Sequence, residues 1–128
     1  MSTPLISVVD DDASVRAATE NLLKSRGYIV QIFASAEELL RSPHLNDSSC
    51  VITDVQMSTM NGLELLAEMR TRGYDVPFIF ITAFPNDRMR ASALGAGAIG
   101  FLAKPFGAKA LIEHLDTALK AYSSRAGT

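Results

Sequence analysis

Short apolar runs and stripes of helical period alternate along the whole chain. Leu5-Ile6-Ser7-Val8-Val9 reads as a strand and stops at three aspartates, Asp10-Asp11-Asp12. Val15, Ala18, Leu22 and Leu23 then recur at i, i+3, i+7 and i+8, one face of a helix that Gly27 closes. Tyr28 to Phe33 is a second strand, and Gln31 inside it suits an edge position. Ser35-Ala36-Glu37-Glu38 has capping-box spacing, so a short helix starts there, with Pro43 just past its end. Cys50 to Thr53 is a third strand ending at Asp54, and a loop follows to Asn61-Gly62. Leu63, Leu66, Ala67 and Arg70 mark a third helix, ending before Gly73. Phe78 to Ile81 is a fourth strand ending at Thr82. Pro85-Asn86-Asp87 opens a helix whose stripe is weak and alanine-rich, stopping near Gly95. Ile99 to Leu102 is a fifth strand, ending near Lys104-Pro105. Ala108, Leu111, Ile112, Leu115, Leu119 and Tyr122 form the cleanest helical stripe.

Repeated β-α units of this kind predict an α/β fold, a parallel sheet with helices on both faces. The third and fourth strands are nearly all apolar, as strands buried on both sides must be. Five such strands predict the flavodoxin-like (βα)5 order 2-1-3-4-5, with ligands beyond the carboxyl ends of the strands where the order reverses. Residues 1–122 form one domain in this reading, and 123–128 a C-terminal tail or linker start.

Composition narrows the function. With 128 residues the chain suits one domain, and with 48% apolar and 20% charged residues it is ordinary for a globular one. A net charge of −2 gives no case for direct nucleic-acid binding by this domain. A single cysteine rules out an intrachain disulfide and fits a reducing compartment. No apolar run approaches the ~18 residues of a membrane span, and the first residues lack the charged start of a signal peptide. The expectation is a cytoplasmic protein.

The polar residues at the strand ends carry the chemistry. In the predicted order, strands one and four flank strand three. Asp54 is then central, with the acidic cluster on one side and Thr82 on the other, each about 4.8 Å away. Lys104 is on the order of 10 Å off, within reach of its long stem. Crowded carboxylates repel each other unless a cation joins them, and Mg²⁺ suits such a site when it also accepts a phosphate oxygen. A carboxylate can attack phosphorus to give an aspartyl phosphate, a reaction that needs mostly positioning and charge neutralisation. Each residue also has a plainer reading: the aspartates a solvated turn with a helix cap, Asp54 a loop residue, Thr82 a core threonine, Lys104 a surface lysine. Their joint placement at the ends of four strands favours one site. Cys50 reads as a small buried residue, Met57 and Met60 as loop packing, and His44 and His114 lie away from the aspartates.

With these residues in hand, the chain resembles the receiver domain of two-component response regulators. The pieces are Val8-Val9-Asp10-Asp11-Asp12, Ile52-Thr53-Asp54-Val55, Met60-Asn61-Gly62-Leu63-Glu64-Leu65-Leu66, Ile81-Thr82-Ala83 and Phe101-Leu102-Ala103-Lys104-Pro105-Phe106. Each is weak alone, but their order and spacing are specific, and the style is that of receivers of nitrogen-fixation-type helix-turn-helix regulators. The resemblance implies that Asp54 accepts a phosphoryl group from a histidine kinase. Asp10 and Asp11 form the acidic pocket, and Asp11, Asp54 and the Gln56 carbonyl hold Mg²⁺. Lys104 pairs with the phosphoryl group, Thr82 moves to bond it, and Phe101 swings inward as the switch aromatic. The Lys104-Pro105 bond is expected to be cis. Gln56 and Phe84 stand where the family tunes phosphate lifetime. The chemistry is self-phosphorylation and self-dephosphorylation, not turnover as an enzyme. Phosphorylation adds roughly two negative charges and three acceptors. The expected response is repacking of the face formed by the fourth helix, fifth strand and fifth helix, toward an output domain, a downstream protein or a second copy. One departure is Ser58, where the family usually has proline, which loosens the loop carrying Gln56.

Two other functions fit parts of the same sequence. A haloacid-dehalogenase-type phosphohydrolase would use Asp10 as nucleophile and Asp12 as acid/base, but the chain leaves little room for a cap and lacks the later acidic pair. A phosphate-independent interaction module would keep the fold and ignore the chemistry. Replacing Asp54 tests the first rival, and metal binding that requires Asp11 and Asp54 counts against the second.

Overall fold

A computed structural model describes the backbone of residues 3–126 and the side chains of residues 3–122. The elements follow the predicted alternation: β1 (Leu5–Val9), α1 (Ala13–Ser25), β2 (Ile29–Phe33), α2 (Ala36–Leu40), a 3-10 turn (Leu45–Asp47), β3 (Ser48–Asp54), α3 (Gly62–Thr71), β4 (Phe78–Thr82), α4 (Asp87–Gly95), β5 (Gly100–Ala103) and α5 (Ala108–Ala126). The strands form one parallel sheet in the order β2-β1-β3-β4-β5, as expected.

Strand alternation builds two cores. Val9, Val51, Phe78 and Phe80 face one side and pack with Leu39 of α2, Leu65, Leu66 and Met69 of α3 and Ala93 of α4. Ile6, Val8, Ile52, Ile79 and Ile81 face the other and pack with Leu23 of α1 and Leu111, Leu115 and Ala118 of α5. The side-chain period of two turns successive residues to opposite faces, so a strand covered on both faces must be apolar throughout. All five residues of β4 are buried.

The boundaries differ in instructive places. β3 begins at Ser48, not Cys50, because Ser48 pairs with Leu5 across a register shift in β1. Its hydroxyl is buried 2.6 Å from that of Ser7. Gln31 lies on edge strand β2, as expected, but its amide turns inward and donates to Ser7 Oγ at 2.8 Å. At α2, Ser35 Oγ accepts from the Glu38 amide, while the Glu38 carboxylate accepts from Ala34 rather than from the cap residue. The segment expected as a tail from Ser123 continues α5 as far as Ala126, and residues 127–128 lie outside the described residues. No helix among the described residues is long and apolar enough to cross a membrane.

Candidate functional site

The register brings the strand ends together in a stagger. Val9 pairs with Thr53, Asp54 with Ile81, and Thr82 with Ala103. Asp10, Asp54, Thr82 and Lys104 therefore follow one another across β1, β3, β4 and β5 at one edge of the sheet. The backbone beyond each strand is tied as well. Asp10 donates its amide to Phe33 O, Val55 to Ile81 O, and Lys104 to Thr82 O at 2.7 Å. The Lys104–Pro105 peptide bond is cis, as the resemblance implied.

Lys104 closes the site. Its ammonium lies 3.0 Å from Asp54 Oδ2 and 2.9 Å from Asp10 Oδ2. The contact to Asp54 is a hydrogen bond. The contact to Asp10 is an ion pair off the hydrogen-bond direction, so a fully buried carboxylate oxygen is left without a directional donor. Asp54 Oδ1 accepts from the Gln56 amide at 3.1 Å. Burial raises the Asp54 carboxyl above the ordinary aspartate range; the Lys104 hydrogen bond opposes the rise and the Asp10 charge adds to it. Burial disfavours the Lys104 ammonium, yet the contacts with Asp10 and Asp54 outweigh it and its net shift is upward. One ammonium thus serves a site that remains short of positive charge. Asp10, Asp11 and Asp54 each offer an oxygen, and these lie within 4.8 Å of one another. That donor set fits a small divalent cation, whose oxygen ligands sit at about 2.1 Å and so within roughly 4 Å of each other.

The three aspartates have separate jobs. Asp10 is fully buried and Asp11 exposed, and both join the cluster. Asp12 caps α1, its Oδ1 accepting from Ser14 and Val15 amides at 2.9 and 3.2 Å. The plain helix-cap reading holds for Asp12 alone, and the hydrolase pairing of Asp10 with Asp12 as acid/base has no geometry behind it. Thr82 is buried, and its hydroxyl accepts from the Phe84 amide at 3.1 Å. Gln56 is exposed beside Asp54. Phe101 is 8% exposed and already packs in the core with Phe80, whereas the Phe84 side chain is 70% exposed. Cys50 is buried in β3, and burial pushes its thiol up. His44 pairs with Asp47, and His114 Nδ1 lies 3.0 Å from Ala110 O.

Two residues beside the site have roles that the sequence did not assign: Gly62, which stands within a quoted motif, and Arg16, which stands in none. Gly62 opens α3 so close to β3 that a Cβ there would lie 2.5 Å from Asp54 O and 3.0 Å from Phe80 Cε1. Arg16 donates to the Asp10 carbonyl at 2.7 Å. The Asn61-Gly62 pair carries a signal for the first, as the end of a loop; nothing local marks the second.

Comparison with known proteins agrees with this geometry. A family model described as the response regulator receiver domain matches residues 6–116. The transcriptional regulatory protein TdiR of Thauera aromatica is 37% identical over 114 residues, 89% of this chain and 50% of that protein. The chain spans about half the length of the curated relatives it matches, FixJ of Azorhizobium caulinodans among them at 36% identity and 54% of its length. A solved receiver protein from Burkholderia phymatum is 39% identical, with a TM-score of 0.80 over 92% of this chain and 96% of that one. The family match runs from inside β1 well into α5 and takes in every residue gathered at the sheet edge, so the chain belongs to the receiver domains of two-component response regulators.

Proposed function

We propose that Asp54 is the phosphoacceptor of this receiver and takes a phosphoryl group from the phosphohistidine of a kinase. The observation that carries the reading is the Lys104 ammonium held 3.0 Å from Asp54 and 2.9 Å from Asp10, within a cluster of three carboxylates. A carboxylate oxygen of Asp54 attacks phosphorus, a P–O bond forms, the P–N bond breaks, and its electron pair leaves with the imidazole. Asp10, Asp11, Asp54 and the Gln56 carbonyl would hold Mg²⁺, which when bound neutralises charge on the phosphoryl oxygens. Lys104 supplies a further positive charge there. The Thr82 hydroxyl accepts from Phe84 and keeps its own proton for a phosphoryl oxygen.

Access supports the same reading. An open groove of about 660 Å³ runs from Lys104 and Ala83 between Val15, Ala18 and Leu22 of α1 and Pro105-Phe106. A kinase segment seated there would carry its phosphohistidine to Asp54. The receiver unit, expected over residues 1–122 and carried by α5 as far as Ala126, acts in the cytoplasm, and the output runs through α4, β5 and α5 to an output domain, a downstream protein or a second copy. Phe101 is the switch aromatic. Gln56 and Phe84, both exposed beside the site, tune the lifetime of the phosphate.

The test is intact mass after incubation with acetyl phosphate, with and without Mg²⁺, on wild type and Asp54→Asn. One phosphoryl adduct on wild type alone, and only with Mg²⁺, is the expected result. An adduct that survives in Asp54→Asn, or none under any condition, overturns it.

A further inference from the structure

The carbonyl of Asp10 has an unusual partner. Asp10 is fully buried, so its backbone groups cannot turn to water. Pairing of β1 with β2 ends at Val9 with Phe33, and Asp10 adds only its amide bond to Phe33 O. The chain of β2 then leaves for α2. The Asp10 carbonyl is met instead by Arg16 Nη1 at 2.7 Å, from the second turn of α1. The Arg16 amide meanwhile donates to Asp12 O at 3.0 Å, the opening bond of the same helix. Among the described residues Arg16 forms no ion pair with a carboxylate.

The result is a turn tied at every point but one. The Asp10 amide is held by Phe33 O, its carbonyl by Arg16, and its Oδ1 by the Asp12 amide at 2.9 Å. The remaining atom, Oδ2, faces Lys104. Asp11 is the next residue of the same turn and offers an oxygen to the same cluster. We infer that Arg16 is a positioning residue: it clips α1 to the end of β1 and so presents Asp10 and Asp11 to the cation site. This inference rests on the phosphoacceptor reading for its purpose, but not for its geometry.

Two substitutions separate the clip from the side chain's bulk and charge. Arg16→Met keeps an apolar stem without a donor, and Arg16→Lys keeps a charged donor. Amide hydrogen exchange of the metal-free protein reads the turn directly, and calorimetric titration with Mg²⁺ in 0.3 M KCl reads the site. In Arg16→Met, exchange at Asp12, Ser14 and Val15 should quicken about tenfold, as expected for loss of a charged hydrogen bond to a buried carbonyl. Mg²⁺ affinity should fall about tenfold, in line with losing an outer support of a metal ligand. Arg16→Lys should restore both in part. Unchanged exchange in Arg16→Met overturns the inference. So does tighter Mg²⁺ binding, the outcome if Arg16 were only a competing positive charge. Wild type that takes up no Mg²⁺ while the exchange rates respond as expected would overturn the metal reading and leave the clip standing.

Discussion

At the scale of single residues, the site is a contest between burial and charge at Asp54. Burial wins: the carboxyl keeps its proton to higher pH in the folded protein than in the unfolded chain, despite Lys104 at 3.0 Å. Between the unfolded value of about 3.9 and the raised folded value, the folded state therefore binds more protons. The contribution of this group to stability falls as pH rises through that window. Asp54→Asn removes the charge and keeps an oxygen for Lys104. In metal-free buffer it should melt above wild type at pH 7, and the gain should disappear as pH drops below the ordinary aspartate range. Circular dichroism melts across pH check this; a lower melting temperature for the variant at pH 7 would mean that the Lys104 contact outweighs burial.

At the scale of elements, α3 and α4 contrast. The start of α3 is over-determined: Asn61 and Glu64 form a capping box, and Gly62 donates to Val55 O at 2.8 Å. Gly62→Ala would drive a methyl to 2.5 Å from the Asp54 carbonyl, which is backbone and cannot yield without moving the proposed phosphoacceptor. It should cost about 1–3 kcal/mol, as overpacking does, and slow adduct formation beyond what the lost stability explains. Urea unfolding and the rate of acetyl phosphate labelling measure the two. The helix α4 buries only Ala93 among its described residues, in keeping with the weak stripe read from its sequence. Its existence was legible from the Pro85-Asn86-Asp87 start, since Asn86 does cap it, accepting from the Met89 amide at 2.8 Å. The strand starts were less legible. Ser48 and Ser49 carry no apolar signal; Ser48 joins the strand by pairing with Leu5 of β1, and its buried hydroxyl is met by Ser7 of β1 and Gln31 of β2.

At the scale of the whole molecule, the proposed cation site links binding to folding. Asp10 and Asp54 lie far apart in the chain and meet only when β1 and β3 pair side by side. A cation held by both binds the folded state and not the unfolded one. With Mg²⁺ at a hundred times its dissociation constant, wild type should gain about 2.7 kcal/mol. For a chain of this size that is roughly 10 °C in melting temperature. Asp54→Asn should show a much smaller rise, and scanning calorimetry with and without Mg²⁺ decides it. An equal rise in both proteins would place the cation away from Asp54.

The sequence by itself determined the alternation of strands and helices, the strand order, and the chemical inventory of Asp10, Asp11, Asp54, Thr82 and Lys104. These are legible because apolar period and residue type are local properties, and a parallel β-α series permits few arrangements. Tertiary structure alone decided how that inventory divides. It made Asp12 a helix cap while Asp10 and Asp11 joined the cluster. It kept Phe101 in the core and Phe84 outside. It also assigned Arg16 to the Asp10 carbonyl and reserved the Gly62 position for a residue without a side chain. Such choices depend on which atoms meet across strands, and a hydrogen bond or a clash between distant residues leaves no periodic trace along the chain.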